Sequence, residues 1–382
     1  PGDKHGGACM SSALHRTTAW PLALATACLI VYASLYPFTG WRDQGLSPFV
    51  FLTAPWPRYW TGFDVSTNFL GYAPLGFLLA LAALRSGRGA WAISLASLSA
   101  AVLSLSLETL QAHLPSRVPS NVDFALNAAG AWAGAVSASL LEKMGVLHRW
   151  NDFRARWFET EARGALVLLA LWPLALLFPV SVPLGLGQIL ERLEPALAAL
   201  LVDSPFLEWL PVRDVELQPM VPASQVIVVA LGGLIPCLIA FGVMRGWAHR
   251  SAAVLWLLAG GLYFTVLSAA LSYGPTHAWA WFDLPVRFGF LGACTLAMLS
   301  LWTSPRTATV LALLALSVQL VMLNQASASP YLAQNLQFWE QGRFIRFHGL
   351  AQWLGWLWPF SALTYVIMRL CRPEDVSDDS RP

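Results

Sequence analysis

Runs of about twenty residues with almost no charge recur along this chain, and few folds can accommodate them. A helix of that length, rising 1.5 Å per residue, matches the ~30 Å hydrocarbon core of a bilayer. Ten such stretches are expected to cross, at 18–36, 66–84, 90–111, 122–141, 165–186, 224–244, 251–272, 286–302, 307–323 and 352–370. Composition agrees, since only 12% of the 382 residues are charged where a soluble domain carries about 25%. The expected fold class is all-α: a polytopic helical membrane protein of about ten transmembrane helices.

Loop charge sets the expected orientation. With the N-terminus inside and the spans alternating, 15 of the 23 Lys and Arg fall on the inner side, which puts both termini inside. Met10 reads as the expected start, with residues 1–9 left out of the fold, and 20–36 reads as an uncleaved first span. Residues 1–19 are then a cytoplasmic segment and 20–145 a four-helix membrane domain. Residues 146–164 read as a cytoplasmic amphipathic linker, because Trp150, Phe153 and Trp157 recur at helical spacing among charges. Residues 165–372 form a second, six-helix membrane domain, and 373–382 a disordered tail. Residues 188–223 carry six acidic side chains and read as a solvated outer cap.

Several function classes are excluded or weakened. A net charge of +2 without a basic stripe speaks against nucleic acid. The five cysteines are scattered, which suits neither a zinc site nor a disulfide framework. His113, His277 and His348 lack ligand spacing, so no metal is expected, and no motif calls for a cofactor. No oligomeric state can be read from the chain.

Against this apolar background, "SLETLQAHLPSRVPSNVDFALN" at 106–127 concentrates polar groups. Glu108 and Gln111 are three residues apart on one helix face, and Asp123 and Asn127 four apart on the next. Pro115 and Pro119 flank Arg117 and interrupt the helix between them. Asn68 opens the second span at the same outer level. Three helices thus bring Asn68, Glu108, Gln111, Arg117, Asp123 and Asn127 to one candidate ligand-binding patch. Part of it has a purely structural reading: "SNVD" at 120–123 is a capping box with Ser120 as N-cap, and Asn127 with Gly130 and Gly134 suits close helix packing. Glu108 is the harder residue to explain this way. An ionisable group at that depth costs about 2.5 kcal/mol or more unless paired, and Arg117 is its nearest candidate partner.

These residues resemble the VanZ-like family of bacterial membrane proteins. Asn68 precedes "PLGF" (Pro74 to Phe77), followed by "ETLQ" (Glu108 to Gln111), Arg117 and "DFALNAAG" (Asp123 to Gly130). The resemblance covers residues 20–141, and Asn121 stands where many members carry a second Asp. It implies a multi-pass protein of the bacterial inner membrane and cell envelope. It also implies a link to resistance against teicoplanin-type glycopeptides, but it supplies no reaction.

The second half offers one further polar stretch, 340–360. Arg343, Arg346 and His348 precede an aromatic run and read either as interfacial anchors or as a secondary polar contribution to the patch. Gln319, Asn324 and Gln325 fit either reading. Three functions stay open. In the first, the patch binds membrane lipids or a lipid-linked envelope precursor. In the second, Glu108 and Asp123 serve as base and acid of an outer-leaflet lipid-modifying enzyme. In the third the chain is a transporter, which its Gly- and Pro-interrupted helices would permit.

Overall fold

The computed structural model describes residues 19–36, 38–45, 47–56, 62–159, 161–178, 180–209, 217–327 and 345–371. Every extended regular element among them is a helix, and strand pairing is limited to two isolated bridges. In chain order the α-helices are α1 (Ala19–Leu35), α2 (Gly62–Arg85), α3 (Ala92–Gln111), α4 (Asn121–Lys143), α5 (Val146–Trp157) and α6 (Arg163–Ala175). They continue with α7 (Leu190–Leu201), α8 (Pro222–Phe241), α9 (Trp247–Tyr273), α10 (Leu284–Leu299), α11 (Pro305–Asn324) and α12 (Ile345–Leu370). Seven of the described helical segments, at α2, α3, α4, α8, α9, α10 and α11, are long and apolar enough to cross a membrane. α1 and α6 are shorter apolar helices, and α12 runs 26 residues. The chain is a polytopic helical membrane protein. Side chains such as Leu98 and Val102 on α3, and Leu255 and Trp256 on α9, are apolar and exposed, as lipid-facing positions must be.

Contacts divide the chain into two compact units, residues 1–151 and 152–382, with the division inside α5. The expected cytoplasmic segment before residue 19 and the tail after 372 lie outside the described residues, as do Cys9 and Arg343. Arg346 and His348 fall on α12, but their side chains are likewise outside the description.

The first unit is built on a close contact between α2 and α4. A Cβ added at Gly130 would lie 2.0 Å from the Phe69 carbonyl oxygen, and one at Gly134 1.9 Å from that of Ala73. One at Gly76 would lie 1.9 Å from the Ala131 carbonyl oxygen. Only glycine permits backbones this close, the usual device where no hydrophobic drive separates lipid from helix. Because 69 faces 130 and 73 faces 134, α2 and α4 run parallel, as two helices separated by one antiparallel crossing (α3) must. Hydrogen bonds sort the helix ends into two sides. At one side the Trp20 indole donates to Ser86 Oγ at 3.2 Å, joining the start of α1 to the end of α2. At the other, the Arg42 amide donates to the His113 carbonyl at 3.0 Å and Gln44 Nε2 to that of Ala112 at 2.7 Å.

In the second unit the expected fifth span, 165–186, is shorter as a helix and ends at Ala175. Pro173 already removes one donor near that end, and Pro183, Gly185 and Gly187 disfavour resumption. The irregular backbone that follows is buried in protein, where its polar groups find partners. Buried Gln319 donates to the Leu184 carbonyl at 3.3 Å and to that of Val228 at 3.2 Å. Asn324 Nδ2 donates to the Gly187 carbonyl at 3.0 Å, while its Oδ1 accepts the Ile189 and Leu190 amides at 3.1 and 3.0 Å. Asn324 thereby caps α7 from another helix. The segment expected as a solvated cap thus contains a helix, α7, and a 3-10 turn at Pro205–Trp209, with Leu200, Phe206 and Trp209 exposed. On the opposite side Arg250 donates to the carbonyls of Phe241, Leu301 and Thr303, gathering the ends of α8 and α10. There too Arg369 pairs with Glu159 at 2.5 Å and donates to the Gly242 carbonyl.

Candidate functional site

The turn between α3 and α4 is made by Leu114 to Ser120 and caps α4. Ser120 is the N-cap, its Oγ accepting the Val122 and Asp123 amides at 3.2 and 3.4 Å. In an ordinary capping box the carboxylate three residues on returns to the N-cap amide. Here the Ser120 amide donates instead to Glu108 Oε2, at 2.9 Å, from the last turn of α3. Glu108 is only 4% exposed, so a buried carboxylate stitches the end of α3 to the positive end of α4.

Gln111 and Arg117 turn towards α1. Gln111 Nε2 donates to the Ser34 carbonyl at 3.1 Å, and Arg117 Nη2 donates to Tyr36 at 2.7 Å and to Ala33 at 3.4 Å. These are carbonyls at the C-terminal end of α1 that have no partner within the helix, and a guanidinium suits the negative end of the helix dipole. The expected placement of Arg117 between the two polar helix faces therefore leaves out its firmest described contacts. Asn121, at the start of α4, reaches the Ala54 carbonyl at 2.7 Å and secures the preceding loop.

One turn below Asp123 lies Asn127, 5% exposed. Its Nδ2 donates to Ser104 Oγ at 3.0 Å, and its Oδ1 has no hydrogen-bond partner. Tyr72, 5% exposed on α2, lies beside Ser104 and Glu108, with its hydroxyl next to Ser104 but outside good hydrogen-bond geometry. Asn68, half-buried, stands one turn before Tyr72 on α2. Polar residues thus recur at four-residue spacing on three helices: Asn68 and Tyr72 on α2, Ser104 and Glu108 on α3, Asp123 and Asn127 on α4. They form a polar column that descends from the α3–α4 turn into an otherwise apolar unit.

Sequence reading found one member of each pair or both, but it missed Tyr72 and Ser104. A tyrosine within an apolar run reads as core, and a serine in "SLSL" reads as a small helix residue. The overlooked signal was spacing: Tyr72 follows Asn68 by four residues, and Ser104 precedes Glu108 by four. Leaving two buried polar atoms unpaired costs about 1–3 kcal/mol each. A stable apolar unit would gain from Phe at 72 or Leu at 127, so the arrangement points to a ligand's polar groups or ordered water as the missing partners.

Residues 19–142 match the model of the VanZ/LLP1 family, in agreement with the motif resemblance. The matched region covers about the first third of the chain and contains the whole column. No curated protein and no solved structure matches the chain.

Proposed function

We propose that the VanZ-like unit binds the polar headgroup of a membrane lipid or lipid-linked envelope precursor at the α3–α4 side, with the acyl chains against the exposed apolar helix faces. The observation that carries this reading is Asn127 Oδ1: a buried amide oxygen with no partner, beneath a turn whose other polar groups hold helices together. Glu108 and Asp123 supply negative charge at the mouth of the column. Asn68 supplies an amide, and Gln111 and Arg117 fix α1 as one wall.

Orientation follows the loop charges, with the α3–α4 turn on the outer leaflet of the bacterial inner membrane. Family resemblance then suggests that occupancy of this site alters susceptibility to teicoplanin-type glycopeptides. Purified protein washed in detergent should retain co-purifying lipid, read by mass spectrometry, and Asn127→Leu should retain at most about a tenth as much. Equal retention by wild type and Asn127→Leu would remove this reading.

A further inference from the structure

Two stretches far apart in sequence are tied together at one end of the second unit. The bridge between Phe158 and Met244 is antiparallel. The Glu159 amide donates to the Val243 carbonyl at 2.8 Å, and the Arg245 amide to the Trp157 carbonyl at 3.0 Å. The end of α5 is thereby fixed along the turn between α8 and α9. Aromatic rings run across the join: Phe153 packs on Trp157 with centroids 4.9 Å apart, and Trp157 on the His249 ring at 4.3 Å. Phe153, Arg156 and Trp157 share one face of α5. The strip lies level with helix ends, because the adjacent Arg250 binds the carbonyls of Phe241, Leu301 and Thr303. Trp247 and Trp302 are exposed at this level, as aromatic belt residues at a bilayer surface are.

The charge here is one-sided. Arg156, Arg163 and Arg245 are exposed, and among the described residues they form no ion pair. The nearby Glu159 is taken up by Arg369 at 2.5 Å. The other end of the same unit carries Glu191, Glu194 and Asp283. A solvated loop has no need of exposed rings, and the hydrocarbon layer does not tolerate a bare guanidinium. Guanidinium groups beside aromatic rings at the level of span ends suit the phosphate and glycerol layer of a bilayer. We infer that Phe153, Arg156 and Trp157, with Arg245, Trp247 and His249, form a docking surface for the anionic phospholipids of the surrounding bilayer. The arginines meet phosphate, and the rings lie among the glycerol backbones. Contact of this kind is open to water and exchanges readily, so detergent washing removes it and it adds nothing to the lipid retained by the first unit.

The test uses the 382-residue chain in nanodiscs of phosphatidylcholine, alone or with an equal share of phosphatidylglycerol, and reads hydrogen exchange at the Glu159 and Arg245 amides. Opening the bridge lifts an arginine from the surface. The anionic bilayer should therefore slow exchange at both amides about fivefold, the factor for one basic side chain at such a surface. Raising salt from about 0.1 M to about 1 M shortens the screening length from about 10 Å to about 3 Å and should remove most of the difference. Arg156→Gln combined with Arg245→Gln alters only exposed side chains, so the variant should fold and should lose the slowing. Arg156→Lys combined with Arg245→Lys should keep most of it, since the bilayer is met by charge. Equal exchange in the two bilayers, or slowing that survives the double glutamine substitution, would overturn the inference. Slowing at residues 114–123 alone would also overturn it and assign the anionic lipid to the first unit. Glycerol phosphate in detergent slowing the strip as strongly would rule out a bilayer as the source.

Discussion

Glu108 shows how one residue can satisfy the demands of two helices. Its carboxylate replaces the local member of the capping box and receives the Ser120 amide, while Ser120 Oγ receives the next two free amides of α4. The two halves of this cap can be separated by mutation. Ser120→Ala removes the hydroxyl but keeps the amide that Glu108 holds, and should cost about 1 kcal/mol. Glu108→Gln keeps an oxygen for the Ser120 amide and loses the charge at the helix terminus, and should cost about 0.5–2 kcal/mol. Thermal unfolding in detergent would rank both. Arg117→Ala should cost about 2 kcal/mol, because it strips charge-assisted bonds from the end of α1. Hydrogen exchange should rise selectively at residues 33–38 in that variant. An unchanged exchange pattern there would show that Arg117 does not anchor α1.

At the scale of elements, Gly76, Gly130 and Gly134 are understood through backbone contact between α2 and α4 and not through chain flexibility. Gly134 lies so close to the Ala73 carbonyl that a methyl group would sit 1.9 Å from its oxygen, whereas nothing lies within 4 Å of a methyl at Gly71. Gly134→Ala should force α2 and α4 apart and cost about 3 kcal/mol or more. Gly71→Ala, on the open face of α2, should be neutral or stabilising by up to about 1 kcal/mol. A comparison of melting temperatures tests the pair; similar values would mean that the α2–α4 contact is not the organising one. The all-helical class and the gathering of polar groups near Pro115 to Ser120 were legible in the sequence, because apolar length and local spacing determine them; against ten expected spans, seven of the described helices are long and apolar enough to cross. The partners of Arg117 and Gln111 were not. Both bond α1 carbonyls nearly eighty residues away or more, and a carbonyl leaves no trace in a side-chain pattern. The short α6 was missed for a related reason. Apolar content carried the expectation through Pro183, while the residues that make irregular backbone tolerable there, Gln319 and Asn324, lie on a distant helix.

Across the whole molecule, each unit carries its own buried apolar clusters and its own polar fastenings. In residues 152–382 a single large core runs from Phe158 to Val366 and includes Trp172, whose indole is almost wholly enclosed. The main fastening at one end of this unit is Arg250, 6% exposed, which binds three main-chain carbonyls and lies over the Phe241 ring at 5.5 Å. Removing its guanidinium leaves helix-terminal carbonyls in a site that water reaches poorly, so Arg250→Ala should cost about 3 kcal/mol or more. Arg250→Lys should recover only part, since a single ammonium cannot span three carbonyls held by a planar fork. The polar column is built entirely from α2, α3 and α4, and none of its described bonds involves a residue beyond 127. Lipid retention by Arg250→Ala should therefore stay close to wild type at temperatures where the variant remains folded, even as its melting temperature falls. The decisive measurement is retained lipid by mass spectrometry on this variant, beside its unfolding curve. If retention disappears together with stability in the second unit, the binding site draws on residues 152–382, and the first unit cannot be the whole of the recognition machinery.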